Sequence, residues 1–172
     1  MLPVSPLAAL LLLASPLDCP PGTALSGGGP PELFEAWCTG RPDAYGTPRR
    51  HGPARSWYDT GALRVEAHWA EGRRDGAFIE HHRDGKPART GQYARDEKVG
   101  TWTIWFESGQ LEERSEYVRD VQHGPFTAWF RTGGKRTEGR YCHGVQCGAW
   151  TTWDEEGRLV GRMEFGEQRA TP

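Results

Sequence analysis

The sequence lacks an excess of positive charge and, beyond its first residues, any long apolar run. Lys and Arg number 21 against 23 Asp and Glu, which gives a formal net charge of −2. Proteins that bind nucleic acid or anionic membranes depend on surplus Lys and Arg to displace counterions, so this balance argues against both. The 172 residues leave no room for two full-sized domains. The conspicuous residues are instead Gly, of which there are 23, and Trp, of which there are 8.

The N-terminal stretch is uncharged. Residues 1–17 contain an apolar run over 7–14, which is too short to span a bilayer but has the length of a signal-peptide apolar region. We therefore predict a signal peptide over 1–17 and export to the periplasm, the outer membrane or the medium. No Lys or Arg precedes the run, which counts against a signal peptide. A lipid on Cys19 is a further alternative, although Leu17 and Asp18 before it match such processing poorly.

The four cysteines form two local pairs, Cys19 with Cys38 and Cys142 with Cys147. Four cysteines allow three pairings, and local disulfides in an oxidising compartment suit this spacing. The first disulfide would close a Pro- and Gly-rich segment and constrain the unfolded chain by about 3 kcal/mol. The second would flank a tight turn. A metal site on that turn is the weaker interpretation, because no fourth ligand stands at a recognisable spacing.

From residue 52 onward the chain repeats with a period of 24 residues. The five units are 52–75, 76–99, 100–123, 124–147 and 148–171, and a Pro- and Gly-rich segment over 18–51 precedes them. Two series of glycines keep the period and predict turns between short strands. The turn glycines are Gly52, Gly76, Gly100, Gly124 and Gly148 in the first series and Gly61, Gly85, Gly109, Gly133 and Gly157 in the second.

Within each unit, apolar and polar residues alternate, as they do over 101–106, which predicts two antiparallel strands joined at the second glycine. Such a turn places Trp102 opposite the small Ser115, with both on a packed face. The sequence thus predicts an all-β fold, a repetitive antiparallel hairpin ribbon of about ten strands with no helix outside the signal peptide. We expect the segment before residue 52 to cover one end of the ribbon and the polar tail over 166–172 to blunt the other.

The spacing G-x-Y-x-x-G-x-x-x-G-x-W over 139–150 resembles the MORN (membrane occupation and recognition nexus) repeat. The form G-x-W-x-x-W-x-x-x-G-x-L, at 100–111 and again at 148–159, is most similar to the bacterial repeats of YwqK-family antitoxins. The resemblance implies a ribbon of hairpins and a role in protein scaffolding or, in some cases, in membrane lipid contact. The near-neutral charge argues against lipid contact, and the cytoplasmic toxin partner that the antitoxin family implies conflicts with export.

The sequence shows no catalytic constellation, and we expect a protein that is not an enzyme and has no metal or cofactor. A Gly-x-Ser-x-Gly elbow, a Cys–His nucleophile pair and a phosphate-binding loop are all missing. His81 and His82 are neighbours in a strand, so they point to opposite faces and cannot share an ion without a bulge. Glu112 and Glu113 adjoin Arg114, which is typical of a solvated charged face rather than of an acid–base pair.

A regular stripe of side chains is the candidate binding site. Five residues after the first glycine of each unit stands a Trp or His, on the face otherwise made of Arg, Glu and Thr. An apolar stripe with a polar rim is suited to an extended peptide or a glycan. Alternatively, the rings only shield the single layer by stacking with guanidinium groups. The stripe consists of Trp57, His81, Trp105, Trp129 and Trp153, and its flanking arginines are Arg64, Arg114, Arg136 and Arg162.

These features lead us to expect a non-enzymatic exported protein that binds a protein partner or acts as a scaffold at the cell envelope. A glycan or lipid partner has less support than a protein. An antitoxin-like inhibitor of a cognate toxin is the alternative function, and it requires a cytoplasmic chain with free thiols. A hydrolase or glycan-modifying enzyme has no support in the sequence.

Overall fold

In the computed structural model, which describes residues 17–166, the chain forms one open sheet of twelve antiparallel strands. Each strand pairs only with its neighbours in the sequence, and no helix occurs in this part of the chain. The predicted all-β meander of hairpins is confirmed. The strands are β1 (Ala24–Gly28), β2 (Glu35–Pro42), β3 (Pro48–Trp57), β4 (Leu63–Ala70), β5 (Arg73–His81), β6 (Pro87–Ala94), β7 (Glu97–Trp105), β8 (Leu111–Val118), β9 (Val121–Trp129), β10 (Lys135–Cys142), β11 (Val145–Trp153) and β12 (Leu159–Phe165).

The predicted signal peptide, apart from Leu17, and the tail after Gly166 lie outside the described residues. The sheet has more strands than the ten predicted because the segment before the repeats joins it. β1 and β2 form a hairpin, and β2 pairs with β3. A disulfide between Cys19 and Cys38 ties the start of this segment to β2. The segment therefore extends this end of the ribbon by strand addition, and β1 becomes the edge strand.

Two kinds of turn alternate along the ribbon. The shorter turns have two central residues, both with positive φ, which is the geometry of a type I′ hairpin turn. They lie at 71–72, 95–96, 119–120 and 143–144. The longer turns end on the second glycine series, whose N–H donates to a carbonyl three residues earlier, as from Gly61 to Tyr58 at 2.9 Å. They lie at 58–61, 82–85, 106–109, 130–133 and 154–157.

The first glycine series lies inside strands and not at the chain reversals expected for it. At Gly76, for example, Ala67 pairs with Phe78 and Trp69 with Arg74, so three residues of β5 oppose His68 alone. Gly76 has a φ of 115° at this bulge, a conformation that side chains with a Cβ rarely adopt. The glycines of this series therefore set the bulges, and the reversals occur a few residues earlier, at the two-residue turns.

One row of side chains crosses the whole sheet, and large and small residues alternate in it from Phe78 to Trp150. The predicted pairing of Trp102 with Ser115 is confirmed, and Phe126 pairs in turn with Gly139. A Cβ on Gly91 would overlap the ring of Trp102, which therefore lies directly over this glycine. The row, here called the central row, consists of Ser26, Trp37, Ala54, Ala67, Phe78, Gly91, Trp102, Ser115, Phe126, Gly139, Trp150 and Met163.

The face that carries the central row, here called the aromatic face, holds the main apolar cluster. Trp102 is 3% exposed and lies 5.0 Å from the ring centroid of Tyr93 and 5.7 Å from that of Phe78. A second set repeats this arrangement around Trp150, with Phe126 at 5.5 Å and Tyr141 at 5.1 Å. Such ring pairs stabilise a fold by more than the burial of their apolar area alone would do. Ring packing on one face thus takes the place of a core between two layers.

Candidate functional site

The predicted stripe lies at the ends of the strands that precede the longer turns. At each stripe residue the pairing within the hairpin shifts by one residue. Ile104 pairs with Glu113, for example, whereas the next residue, Trp105, pairs with Leu111. Exposure differs along the stripe. Trp57 is 9% exposed and the His81 side chain 16%, whereas Trp105, Trp129 and Trp153 are half-buried. Three tryptophans of the stripe therefore remain partly open to solvent.

Trp57 is covered by the N-terminal segment. Leu17, which is 9% exposed, packs with Trp57, Ala36 and Cys38 in a cluster separate from the one around Trp102. Residues 17–20 have no regular secondary structure, and the disulfide at Cys19 holds them against the sheet. The first member of the stripe is thus occupied by an apolar side chain of the protein's own chain.

Two aromatic rings that directly follow a stripe residue in the sequence are covered by guanidinium groups. Arg83 is 4.8 Å from the ring centroid of Tyr58, and Arg131 is 4.8 Å from that of Phe106. These contacts join the first longer turn to the second and the third to the fourth. Of the predicted flanking arginines, Arg64 lies 5.8 Å from the Tyr58 centroid. All four of these arginines, Arg64, Arg114, Arg136 and Arg162, are exposed.

A second line of cations, which the sequence analysis missed, lies over the aromatic face near the two-residue turns. The guanidinium of Arg50 is 4.5 Å from the ring of Trp37 and 5.1 Å from that of Trp69. Arg74 lies 3.9 Å from the ring of Tyr93, and Lys98 lies 4.8 Å from that of Trp102. The 24-residue period would have revealed this line. The residues at this repeat position are Arg50, Arg74, Lys98, Gln122 and Gln146.

Asp96 fixes the position of Arg74. Its Oδ1 accepts a hydrogen bond from the backbone N–H of Arg74 at 2.9 Å and another from Nε at 3.1 Å. The backbone hydrogen bond, with the guanidinium as a further cause, lowers the pKa of Asp96 below its ordinary value. The carboxylate is therefore ionised at neutral pH and holds Arg74 over Tyr93.

Both predicted cysteine pairs are bonded. The Cα atoms are 5.5 Å apart for Cys19–Cys38 and 5.7 Å apart for Cys142–Cys147. The second disulfide brackets the two-residue turn at 143–144. With its sulfur bonded to Cys38, Cys19 has no thiol to which a lipid could attach.

The candidate chemical groups are engaged in structural contacts. His81 Nδ1 lies 3.1 Å from the carbonyl oxygen of Gly85, and His82 Nε2 lies 2.9 Å from that of Trp105. Glu113 accepts a hydrogen bond from the Ser115 hydroxyl at 3.1 Å. Within residues 17–166, no three His, Cys, Asp or Glu side chains are grouped so that they could hold a metal ion.

The fold defines a class of protein, a single-layer repeat ribbon in which each hairpin contacts its neighbours along the chain. Residues 50–71 and 98–119 match the family model of the MORN repeat variant. Each match spans one hairpin with a longer turn, β3–β4 and β7–β8, and the two matches are two repeat periods apart. No curated protein has significant similarity to the chain. Residues 17–166 contain no helix that is long and apolar enough to cross a membrane.

Proposed function

We propose that the protein is a non-enzymatic interaction module that binds a protein partner through Trp105, Trp129 and Trp153. MORN repeats are generally modules for protein or membrane interaction, which supports the coarse assignment. The observation that carries the proposal is that these three rings are half-buried on a sheet of a single layer. Partly exposed aromatic side chains in a regular line are typical of partner sites.

The cover over Trp57 supports this site. Leu17 shows that an irregular segment can bury an apolar side chain on this face against a stripe residue. Successive stripe tryptophans are two strands apart, about 10 Å at the usual strand spacing, which is about three residues of extended chain. Consecutive side chains of a β-strand point to opposite sides, so a strand could not present every third residue to the stripe. A partner segment in the polyproline II conformation, with three residues per turn and a rise of about 3.1 Å per residue, would place an apolar side chain against Trp105, Trp129 and Trp153 in turn.

Replacing both Trp105 and Trp129 with Ala tests the site. We expect recovery of the crosslinked partner from native cells, quantified by mass spectrometry, to fall at least tenfold, because truncating central aromatic contacts costs about 2 kcal/mol or more. Tyr45→Ala is the control, since Tyr45 is 93% exposed on a turn outside the stripe. Unchanged recovery with the double variant, with circular dichroism showing a native sheet, would refute the stripe as the binding site.

We further propose that the chain is exported and acts at the cell envelope. Both disulfides suit an oxidising compartment, and the packing of Leu17 requires that leader cleavage leave this residue in the mature chain. The antitoxin-like alternative places the protein in the cytoplasm, where two disulfides would not persist.

The mass of the native protein distinguishes the two locations. Export predicts a chain that has lost its leader but still contains Leu17, so that it starts after Met1 and no later than Leu17, carries no lipid and takes up alkylating reagent on its four cysteines only after reduction. A chain that retains Met1 and alkylates on all four cysteines without reductant contradicts export and favours the antitoxin-like inhibitor.

A further inference from the structure

The two-residue turn at 143–144 brings two cysteines and two histidines together. Cys142 and Cys147 flank the turn on β10 and β11, and their disulfide brackets it. His143 is the first residue of the turn and is exposed. His123 reaches the turn from β9, where its Nδ1 accepts the backbone N–H of His143 at 3.3 Å. The spacing along the chain offered three ligands at this turn, and the sheet supplies the fourth.

The four side chains lie close to one another. The ring centroids of His123 and His143 are 4.7 Å apart. The N–H that His123 accepts belongs to the peptide bond between Cys142 and His143, so this imidazole also lies next to Cys142. The Cα atoms of Cys142 and Cys147 are 5.7 Å apart. Zinc–sulfur bonds of about 2.3 Å in a tetrahedron hold two sulfurs about 3.8 Å apart, which this separation of the Cα atoms permits.

The fold does not require these residue types at the turn. Two periods earlier, Asp75 accepts the backbone N–H of Arg95 at 3.2 Å, just as His123 accepts that of His143. The hairpin there forms its turn with neither a cysteine nor a histidine, so the ribbon needs only a hydrogen-bond acceptor at this position. The residues equivalent to His123, Cys142, His143 and Cys147 in that part of the chain are Asp75, Ala94, Arg95 and Val99.

The disulfide keeps the two sulfurs from acting as thiolate ligands. In this oxidised state, no three His, Cys, Asp or Glu side chains of residues 17–166 could hold a metal ion. We propose that reduction of the Cys142–Cys147 disulfide converts His123, Cys142, His143 and Cys147, here called the turn cluster, into a zinc site. Two thiolates and two imidazoles in a tetrahedron are a donor set that Zn²⁺ prefers. The site does not depend on the tryptophan stripe.

The reductant is a low-molecular-weight thiol, which reducing compartments contain. Two such thiols give two electrons and two protons to the disulfide, become a disulfide themselves and leave Cys142 and Cys147 as thiols. Zn²⁺ then displaces one proton from each thiol. The Nδ1 lone pair of His123 exchanges the N–H of His143 for the ion, and the His143 ring turns to it from the surface. Exchange with a disulfide reverses the process, re-forms the Cys142–Cys147 bond and releases the ion.

The test uses the full chain, reduced with a phosphine that is then removed without admitting oxygen. We expect it to bind one Zn²⁺ with a Kd below about 1 µM at neutral pH, measured by competition with a chromophoric chelator. Co²⁺ in its place should give the visible absorption of a tetrahedral ion and a thiolate-to-cobalt band in the near ultraviolet. The oxidised chain should bind at least about 100-fold more weakly, because it offers no thiolate.

The repeat itself provides variants that suit the fold. Cys142→Ala with Cys147→Val, the residues at 94 and 99, should remove the bound zinc and the thiolate band. His123→Asn keeps an acceptor for the N–H of His143, and His143→Arg introduces the residue found at 95 and 119. Each should weaken zinc binding at least about tenfold. The control is His68→Gln, because His68 is exposed and Gln stands at the equivalent position 92; it should leave zinc binding unchanged.

Several results would overturn the zinc site. One is a Kd for the reduced chain weaker than about 100 µM, and another is undiminished binding by the double cysteine variant, which would place the ion on Cys19 and Cys38. Cobalt spectra and affinities that neither histidine variant changes would show that the turn cluster is not the ligand set. If reduction alone abolishes the circular dichroism of the sheet, zinc should restore it, and a sheet that does not return would also contradict the proposal.

Discussion

Trp102→Ala is expected to lower the free energy of unfolding by about 4 kcal/mol, the largest effect of any single ring in the sheet. Trp102 is 3% exposed and touches rings on both sides, Phe78 and Tyr93 towards the N-terminus and Tyr117 towards the C-terminus. Truncation removes this apolar area and leaves a cavity that a sheet of one layer cannot close from its other side. Urea unfolding followed by circular dichroism measures the loss.

Trp105→Ala is the matched control because it removes the same side chain from the same strand, at a half-buried position on the stripe. We expect a loss of about 2 kcal/mol, in proportion to the smaller area buried. Equal losses for the two variants would show that the aromatic face is not the main source of stability. A biphasic transition for Trp102→Ala would indicate that the two halves of the ribbon unfold separately, as a chain of nearest-neighbour contacts allows.

Gly91→Val is expected to lower the free energy of unfolding by about 4 kcal/mol, as Trp102→Ala does, although it adds an apolar side chain to a strand. A Cβ at Gly91 overlaps the indole of Trp102, and the same relation holds between Gly139 and Trp150. The ring therefore has to leave its place, and its contacts are lost with it. Thermal and urea unfolding provide the measurement.

Gly161→Val is the control for Gly91→Val. Gly161 also lies in a strand, but a Cβ there meets no atom within 4 Å, so the change should alter stability by no more than about 0.5 kcal/mol. A double-mutant cycle tests the cause: in a Trp102→Ala background, Gly91→Val should cost less than half as much. Additive losses would mean that backbone strain at residue 91, and not the ring, causes the effect.

The repeat made most of the fold predictable. Period-two alternation and a glycine turn are local signals, so the hairpins and the pairing of Trp102 with Ser115 follow from the residues within one unit. The sequence did not reveal that the first glycine series lies at bulges and not at turns. Both a turn and a bulge need a residue with positive φ, so a glycine alone does not distinguish them. Which of the two applies at Gly76 depends on the register between β4 and β5, which belong to different units.

The segment before the repeats was the least predictable part of the sheet. Its Pro and Gly residues indicated an irregular stretch, yet β1 and β2 form there. With a single copy of this segment, no periodicity marks its strands, and their formation depends on pairing with β3. The disulfide partner of Cys19 was foreseeable from spacing, but the burial of Leu17 on Trp57 was not, since this contact joins residues far apart in the chain.

For the candidate sites, too, some features could be predicted from the sequence and others only from the tertiary structure. The sequence alone determined the 24-residue period, the all-β hairpins, the line of stripe residues and the absence of an aromatic at position 54, because each is a pattern readable within a unit. Only the tertiary structure decided that Leu17 covers Trp57 and that the ring of Trp37 leans towards β1. The physical reason is that burial and open space are set by neighbouring strands. Side-chain packing between units is therefore not contained in the repeat that each unit encodes.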